Sequence, residues 1–197
     1  MRLGLGTGST VAHFLDVLAD RIREGALTGL VGVPTSLRTA ERSRELGIPI
    51  AELHEAAPLD LTVDGADEVD PALDLIKGLG GALLREKMVA QASRRLLIMA
   101  DDSKKVARLG TKAPLPVEVV PFGWKAQIPF LEGLGAAPKL RVGPDGEPFV
   151  SDNGNFMLDC RFADGIYDPD AIDEELRRRA GVVESGLFLG MATTVVR

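Results

Sequence analysis

The stretch Arg2–Ile22, RLGLGTGSTVAHFLDVLADRI, holds a short apolar run, a turn with glycines 4, 6 and 8, and a helical pattern. RLGL reads as a strand. Downstream of it, Val11, Phe14, Leu15, Leu18 and Ile22 fall on one helical face. Glycines between a strand and a helix let backbone N–H groups turn inward, where the helix N-terminus attracts an anion. Ser9 and Thr10 are expected to cap the helix and to donate hydroxyls. An ordinary capped turn between strand and helix would use the same residue types.

The same rhythm continues outward. LVGV reads as a strand, SLRTAERSRELG as a helix closed by Gly47, and IPIAEL as a possible short strand. LDLTVDG is nearly unbroken in its apolar residues, as in a buried parallel strand. GALLREKMVAQASR reads as a helix and RLLIMADD as a strand. Strands alternating with helices predict βαβ units and a parallel sheet. The rhythm breaks at prolines 114, 116 and 121. Beyond them IPFLEGLG, PKLRV, FMLDCRF and PDAIDEELRRRAG form a mixed pattern, with a hairpin turn at GPDGEP, where Asp-Gly suits positive φ. The expected organisation is an α/β domain over 1–113 and 187–197, with a smaller α+β domain over 114–186. GLFLGMATTVVR is expected to return to the first sheet as a final strand.

A compact phosphorylated ligand suits the first turn better than a dinucleotide. Its glycines do not follow G-x-G-x-x-G, and the second strand ends in VPTS where a ribose-binding acid would stand. No lysine follows the glycines as in a Walker loop. The acids of LTVDGADEVD, residues 61–70, lie at the end of a strand, where open α/β sheets bind ligands. Asp64 and Asp67 read as functional, and Glu68 and Asp70 as structural or solvated. Mg²⁺ could use such carboxylates. Zn²⁺ would need His13, His54 or Cys160, which are not clustered. In LIKGLGGALLREK, Lys77 precedes glycines 78, 80 and 81, and Glu86 follows about one helical turn in. Each alone could be a solvated lysine or a first-turn glutamate favoured by the helix dipole. Lys104 of DDSKK falls at another strand end, on the same ligand-binding edge.

The formal net charge of −6 argues against non-specific nucleic-acid binding, which needs Lys and Arg to neutralise phosphates. Cys160 is the single cysteine, so no internal disulfide forms, in keeping with a reducing cytosol. No apolar run approaches the roughly 18 residues of a membrane span, and the N-terminal residues carry no signal pattern. These features predict a cytoplasmic protein. The first strand starts almost at Met1, which points to an unusually short start or to a helix preceding this sequence.

GLGTGST, VPTS, VDGADEVD, LIKGLGGALLREK, DDSKK, LPVEV, DNGN and GLF occur in the order found in type A ribose-5-phosphate isomerase, and the chain resembles that family from about residue 3 to 197. The resemblance implies a Rossmann-like parallel-sheet domain with a smaller ferredoxin-like α+β domain, assembled as a homodimer or homotetramer. It implies interconversion of ribose 5-phosphate and ribulose 5-phosphate in the pentose phosphate pathway, without metal or other cofactor. Substrate binding then falls on Thr7, Gly8, Ser9, Thr10, Asp64, Gly65, Ala66, Asp67, Lys77, Gly78, Leu79, Gly80 and Lys104. Catalysis falls on Glu86, Lys77, Asp64 and Asp67. Glu86 would move the proton between C2 and C1, Lys77 would stabilise the enediolate oxygen, and Asp64 or Asp67 would open the ring. The chain departs from the family at Leu79, where many members have glycine. It also has no counterpart of a helix before the first strand, nor of the lysine on that helix. A sugar-phosphate deaminase, a CoA transferase or an inactive sugar-phosphate sensor would not need this set together.

Overall fold

The structure, a computed structural model, describes residues 1–196. β1 (Arg2–Leu5) shows how the first sheet is covered. Successive strand side chains point to opposite faces. Leu3 and Leu5 pack in a cluster with Val11, Leu15 and Leu18 of α1 (Ser9–Arg23). Gly4 faces the other way: a Cβ there would stand 1.9 Å from Thr62 Oγ1 and 2.6 Å from Val89 Cγ1. Val89 belongs to α4 (Leu83–Gln91), so α1 and α4 cover opposite faces, and the missing side chain at Gly4 lets α4 approach.

β2 (Val31–Pro34), β3 (Leu61–Gly65), β6 (Leu96–Met99) and β12 (Thr194–Val196) complete this sheet. Its order is β12-β6-β3-β1-β2, and every pairing is parallel. The tail returns to the first sheet through Thr194–Val196, whereas Leu187–Phe188, expected with it, pair with Leu75–Ile76 instead. α2 (Leu37–Glu45) follows β2 and is capped by Ser36, whose side chain accepts from the Thr39 N–H. Gly47 follows its end with φ 73°, where a left-handed residue is needed. IPIAEL forms no strand. Ile50 makes a single bridge to Gly32, and the chain turns at once into the short α3 (Leu53–Ala56). A capping box of Glu52 and Glu55 closes that turn, which a strand reading of the same residues overlooks.

The residues between Leu115 and Ser185 run β7 (Leu115–Val119), α5 (Gln127–Gly133), β8 (Ala136–Leu140), β9 (Phe156–Phe162), α6 (Pro169–Arg178), β10 (Val182–Ser185). The antiparallel sheet has the order β10-β7-β9-β8, which is the β-α-β-β-α-β ferredoxin-like arrangement. The chain reverses through GPDG as the Asp-Gly pair implies, with Gly146 at φ 82°. A third sheet is made of very short strands, β4 (Glu68–Val69), β5 (Leu75–Ile76) and β11 (Leu187–Phe188).

By packing, the chain divides into two units. The first holds Met1–Ala66, Arg85–Ser103 and the residues from Met191 on; the second holds Asp67–Leu84 and Lys104–Gly190. The division differs from the expected 114–186 boundary. Ile76, Val106, Leu109, Ala113 and Leu187 are buried in the same cluster as the ferredoxin-like core, and this packing carries the flanking segments into the second unit.

Cys160 lies in that core on β9, 1% exposed. Burial, with a smaller contribution from Asp159, pushes its thiol up to about 12 from 9.0. The thiol thus binds its proton more tightly when folded. This contribution to stability is present below pH 9 and is lost as pH rises through about 12. We expect a disulfide-exchange reagent at pH 8 to label Cys160 only on unfolding in urea. Labelling of the native protein at the free-cysteine rate would contradict this burial.

Candidate active site

In the first unit the site begins where β1 ends. Gly8 is the N-cap of α1, at φ 141° and ψ 173°, and no side chain caps the helix. The expected capping by Ser9 and Thr10 is therefore corrected. A capping residue stands before the helix in a non-helical conformation, and Gly8 occupies that place. Ser9 and Thr10 are already helical, with exposed side chains. No acid lies in the first turn of the helix.

Thr7 turns inward instead. Its Oγ1 donates to Ser36 Oγ at 2.8 Å, Ser36 donates to Thr39 Oγ1 at 3.0 Å, and Thr39 donates to the Gly6 carbonyl at 2.9 Å. Thr35 Oγ1 lies 2.8 Å from Thr7 Oγ1. This relay ends on the glycine turn itself, so buried hydroxyls set the shape of the turn. Thr35, Ser36 and Thr39 were visible in the sequence only as polar residues of VPTS and the next helical turn.

Asp64, on β3 beside β1, is 1% exposed. Its Oδ1 accepts the Thr7 N–H at 3.1 Å and the Gly65 N–H at 2.7 Å. A Cβ on Gly6 would stand 2.1 Å from that oxygen and 2.7 Å from the Asp64 Cα, so glycine is required there. Thr7, Gly8, Ser9, Thr10 and Asp64 are thus gathered at the carboxyl ends of two adjacent parallel strands. Gly65 and Ala66 continue from them, half-buried. Glu86 is the fourth residue of α4 and is 3% exposed, unlike a glutamate that only serves the helix dipole. Lys87 beside it is also buried, which no local sequence pattern signals.

The second unit gathers the other motif residues. The Asp67 N–H donates to the Ile76 carbonyl at 2.8 Å, and Asp67 Oδ2 accepts the Leu79 N–H at 2.9 Å. Lys77 is 3% exposed, which removes the reading of a solvated lysine. Its N–H donates to the Gly186 carbonyl at 2.9 Å, and its ammonium lies 5.5 Å from the centre of the buried Phe188 ring. Gly78 and Gly81 adopt φ of 110° and 82°, closed by a Gly81 N–H to Gly78 carbonyl bond of 3.0 Å. Leu79 and Gly80 form the exposed tip of this turn. Lys104, half-buried, ends a single 3₁₀ turn, and Lys105 after it bridges Val69.

Glu68 is not solvated. It is 0% exposed, and its carboxylate accepts the N–H groups of Gly110, Lys112 at 2.6 Å and Ala113 at 2.7 Å. Its neighbour Asp70 makes a local turn, accepting from the Ala72 and Asp74 N–H groups at 2.9 Å each. Among the described residues, no three His, Cys, Asp or Glu side chains are grouped as a metal-ligand set.

Comparison with known proteins decides the lineage. The family model for ribose 5-phosphate isomerase A (phosphoriboisomerase A) matches residues 31–197. The chain belongs to the ribose 5-phosphate isomerase A family. It is 54% identical over 193 residues to "Ribose-5-phosphate isomerase A" of Chloroflexus aurantiacus, covering 98% of this chain and 80% of that protein. It is also 54% identical over 196 residues to the protein of the same name in Roseiflexus castenholzii, covering 100% and 83%. Among solved structures, ribose 5-phosphate isomerase from Plasmodium falciparum superposes with a TM-score of 0.96 at 38% identity, covering 99% of this chain and 85% of that one. A D-ribose-5-phosphate isomerase in complex with phospho-erythronic acid also gives 0.96, at 42% identity, covering 99% and 85%. The parallel sheet and the separate antiparallel sheet are thus those of ribose 5-phosphate isomerase A.

Proposed function

We propose that this chain interconverts D-ribose 5-phosphate and D-ribulose 5-phosphate through an enediolate, as the names of its relatives imply. One observation carries the reading to particular residues. Asp64, Lys77 and Glu86, the motif residues to which chemistry is assigned, are almost free of solvent at 1%, 3% and 3%. Burying charged groups costs several kcal/mol each, and buried titratable groups gathered in ligand-binding motifs support a chemical role.

The uncapped N-terminus of α1, with Ser9 and Thr10, suits the substrate phosphate. Asp64 and Asp67 hold sugar hydroxyls, and one of them assists ring opening. Glu86 takes the proton from C2 and returns it to C1, a task favoured by a carboxylate removed from water. Lys77 and the N–H groups of the 78–80 turn face the charge that develops on the enediolate oxygen. Lys104 adds positive charge for the anionic substrate.

The proposal extends to the setting. Among the described residues no helix is long and apolar enough to cross a membrane, and a sugar-phosphate metabolite fits a cytoplasmic enzyme. Membership of the family supports assembly into a homodimer or homotetramer. Nucleic acid and membrane surfaces are poor partners for a chain of net charge −6.

The test is a coupled assay with ribose 5-phosphate, with and without EDTA. We expect turnover at the same rate in both. Loss of turnover with EDTA would restore the metal reading of the acidic stretch, and binding without turnover would make the chain a sensor.

A further inference from the structure

Arg141 lies outside every motif of the sequence, just after β8. Its backbone is fixed on both sides, the N–H by the Met157 carbonyl at 2.8 Å and the carbonyl by the Phe149 N–H at 2.9 Å. Asp159 on β9 grips the guanidinium at both ends, through Nε at 3.0 Å and through Nη2. The remaining nitrogen, Nη1, donates to two consecutive carbonyls of the glycine turn, Gly78 at 3.0 Å and Leu79 at 3.1 Å. The Phe149 ring lies 5.6 Å from the guanidinium and directly against Gly81, where a Cβ would meet it at 2.4 Å. The Arg141 side chain is only 12% exposed.

Two carbonyls held on one side fix the two peptide planes they belong to. In a trans peptide the N–H points opposite to the carbonyl. With the Gly78 carbonyl on Arg141, the Leu79 N–H is aimed away from the guanidinium, and it meets Asp67 Oδ2 at 2.9 Å. With the Leu79 carbonyl on Arg141, the Gly80 N–H is turned the same way. The positive charge also polarises both peptides, making those N–H groups better donors.

We infer that Arg141, held by Asp159, is a positioning residue of the isomerase site: it orients the 78–80 peptides so that their N–H groups face Asp67 and the oxygens of the sugar substrate. This rests on the proposed roles of Asp67 and the glycine turn. Lysine cannot replace it, because one ammonium lacks the planar fork that serves a carboxylate and two carbonyls together.

The experiment measures kcat, KM and thermal stability for R141K, R141A and D159N, with E86Q as a reference. We expect R141K and R141A to lose about 10- to 100-fold in kcat, as misplaced catalytic groups do, with smaller changes in KM. D159N falls in between. Low-millimolar methylguanidinium restores part of the R141A rate and leaves R141K unchanged, a rescue that a purely structural role would not give. R141K and D159N carry the test where R141A does not fold. Wild-type kcat in folded R141K and D159N overturns the inference, as does a loss that only follows the folded fraction with no rescue. If E86Q is inactive while R141K is fully active, only this inference fails. If E86Q is fully active, the underlying site reading fails.

Discussion

Glu86→Gln lowers kcat by at least about a hundredfold and leaves KM close to its original value. The substitution keeps the shape of the side chain and removes only its ability to take a proton. A positioned general base contributes about 10²- to 10⁴-fold, and that whole contribution is at stake here. KM is spared because the glutamine still fills the same buried place, so the ground state of the bound sugar is little changed. Glu86 is 3% exposed, and bulk water has little access to substitute for it. Exchange of the C2 proton with solvent, followed by NMR in deuterated water, should slow together with kcat. Turnover near the original rate would remove Glu86 from its role and leave the base to one of the aspartates.

Glu68→Ala destabilises the protein by about 3 kcal/mol or more. Three backbone N–H groups, of Gly110, Lys112 and Ala113, converge on this one buried carboxylate. Each donor left without an acceptor costs about 1–3 kcal/mol. For a chain of this size the melting temperature should drop by about 6 °C or more, since each kcal/mol is worth about 2–4 °C. Glu68→Gln should lose less, because its amide oxygen still accepts. A melting temperature within about 2 °C of the original for Glu68→Ala would show that the 108–113 loop is held by other contacts.

These two glutamates mark where the sequence was legible and where it was not. Glu86 sits in a long helical pattern after a glycine turn, so its element and position could be read from spacing. Glu68 sits in a two-residue strand, too short for periodicity to register. Its sequence context fits a structural or a solvated acid alike, and only the three-dimensional path of residues 108–113 shows what it holds. The parallel sheet was readable because its strands alternate with amphipathic helices. The third sheet was not, since β4, β5 and β11 have two residues each and pair across long sequence separations. Thr7 was singled out by its motif, but the relay through Ser36 and Thr39 joins residues about thirty positions apart and leaves no local pattern. Arg141 shows the same limit: a lone arginine after a strand looks like any surface charge until its carbonyl partners are seen.

The strand order of the first sheet also bears on how the chain is made. β12 must settle beside β6, yet the residues from Lys104 to Gly190 of the second unit are synthesised between them. At about 5–20 residues per second, the ribosome leaves the outer edge of β6 without its neighbour for on the order of 5–20 s. During that interval Leu97, Ile98 and Met99 present an unpaired apolar edge, and nascent chains on one messenger could pair through it. Slowing translation over 104–190 should therefore lower the soluble yield, whereas supplying the β12 segment as a peptide in trans should protect it.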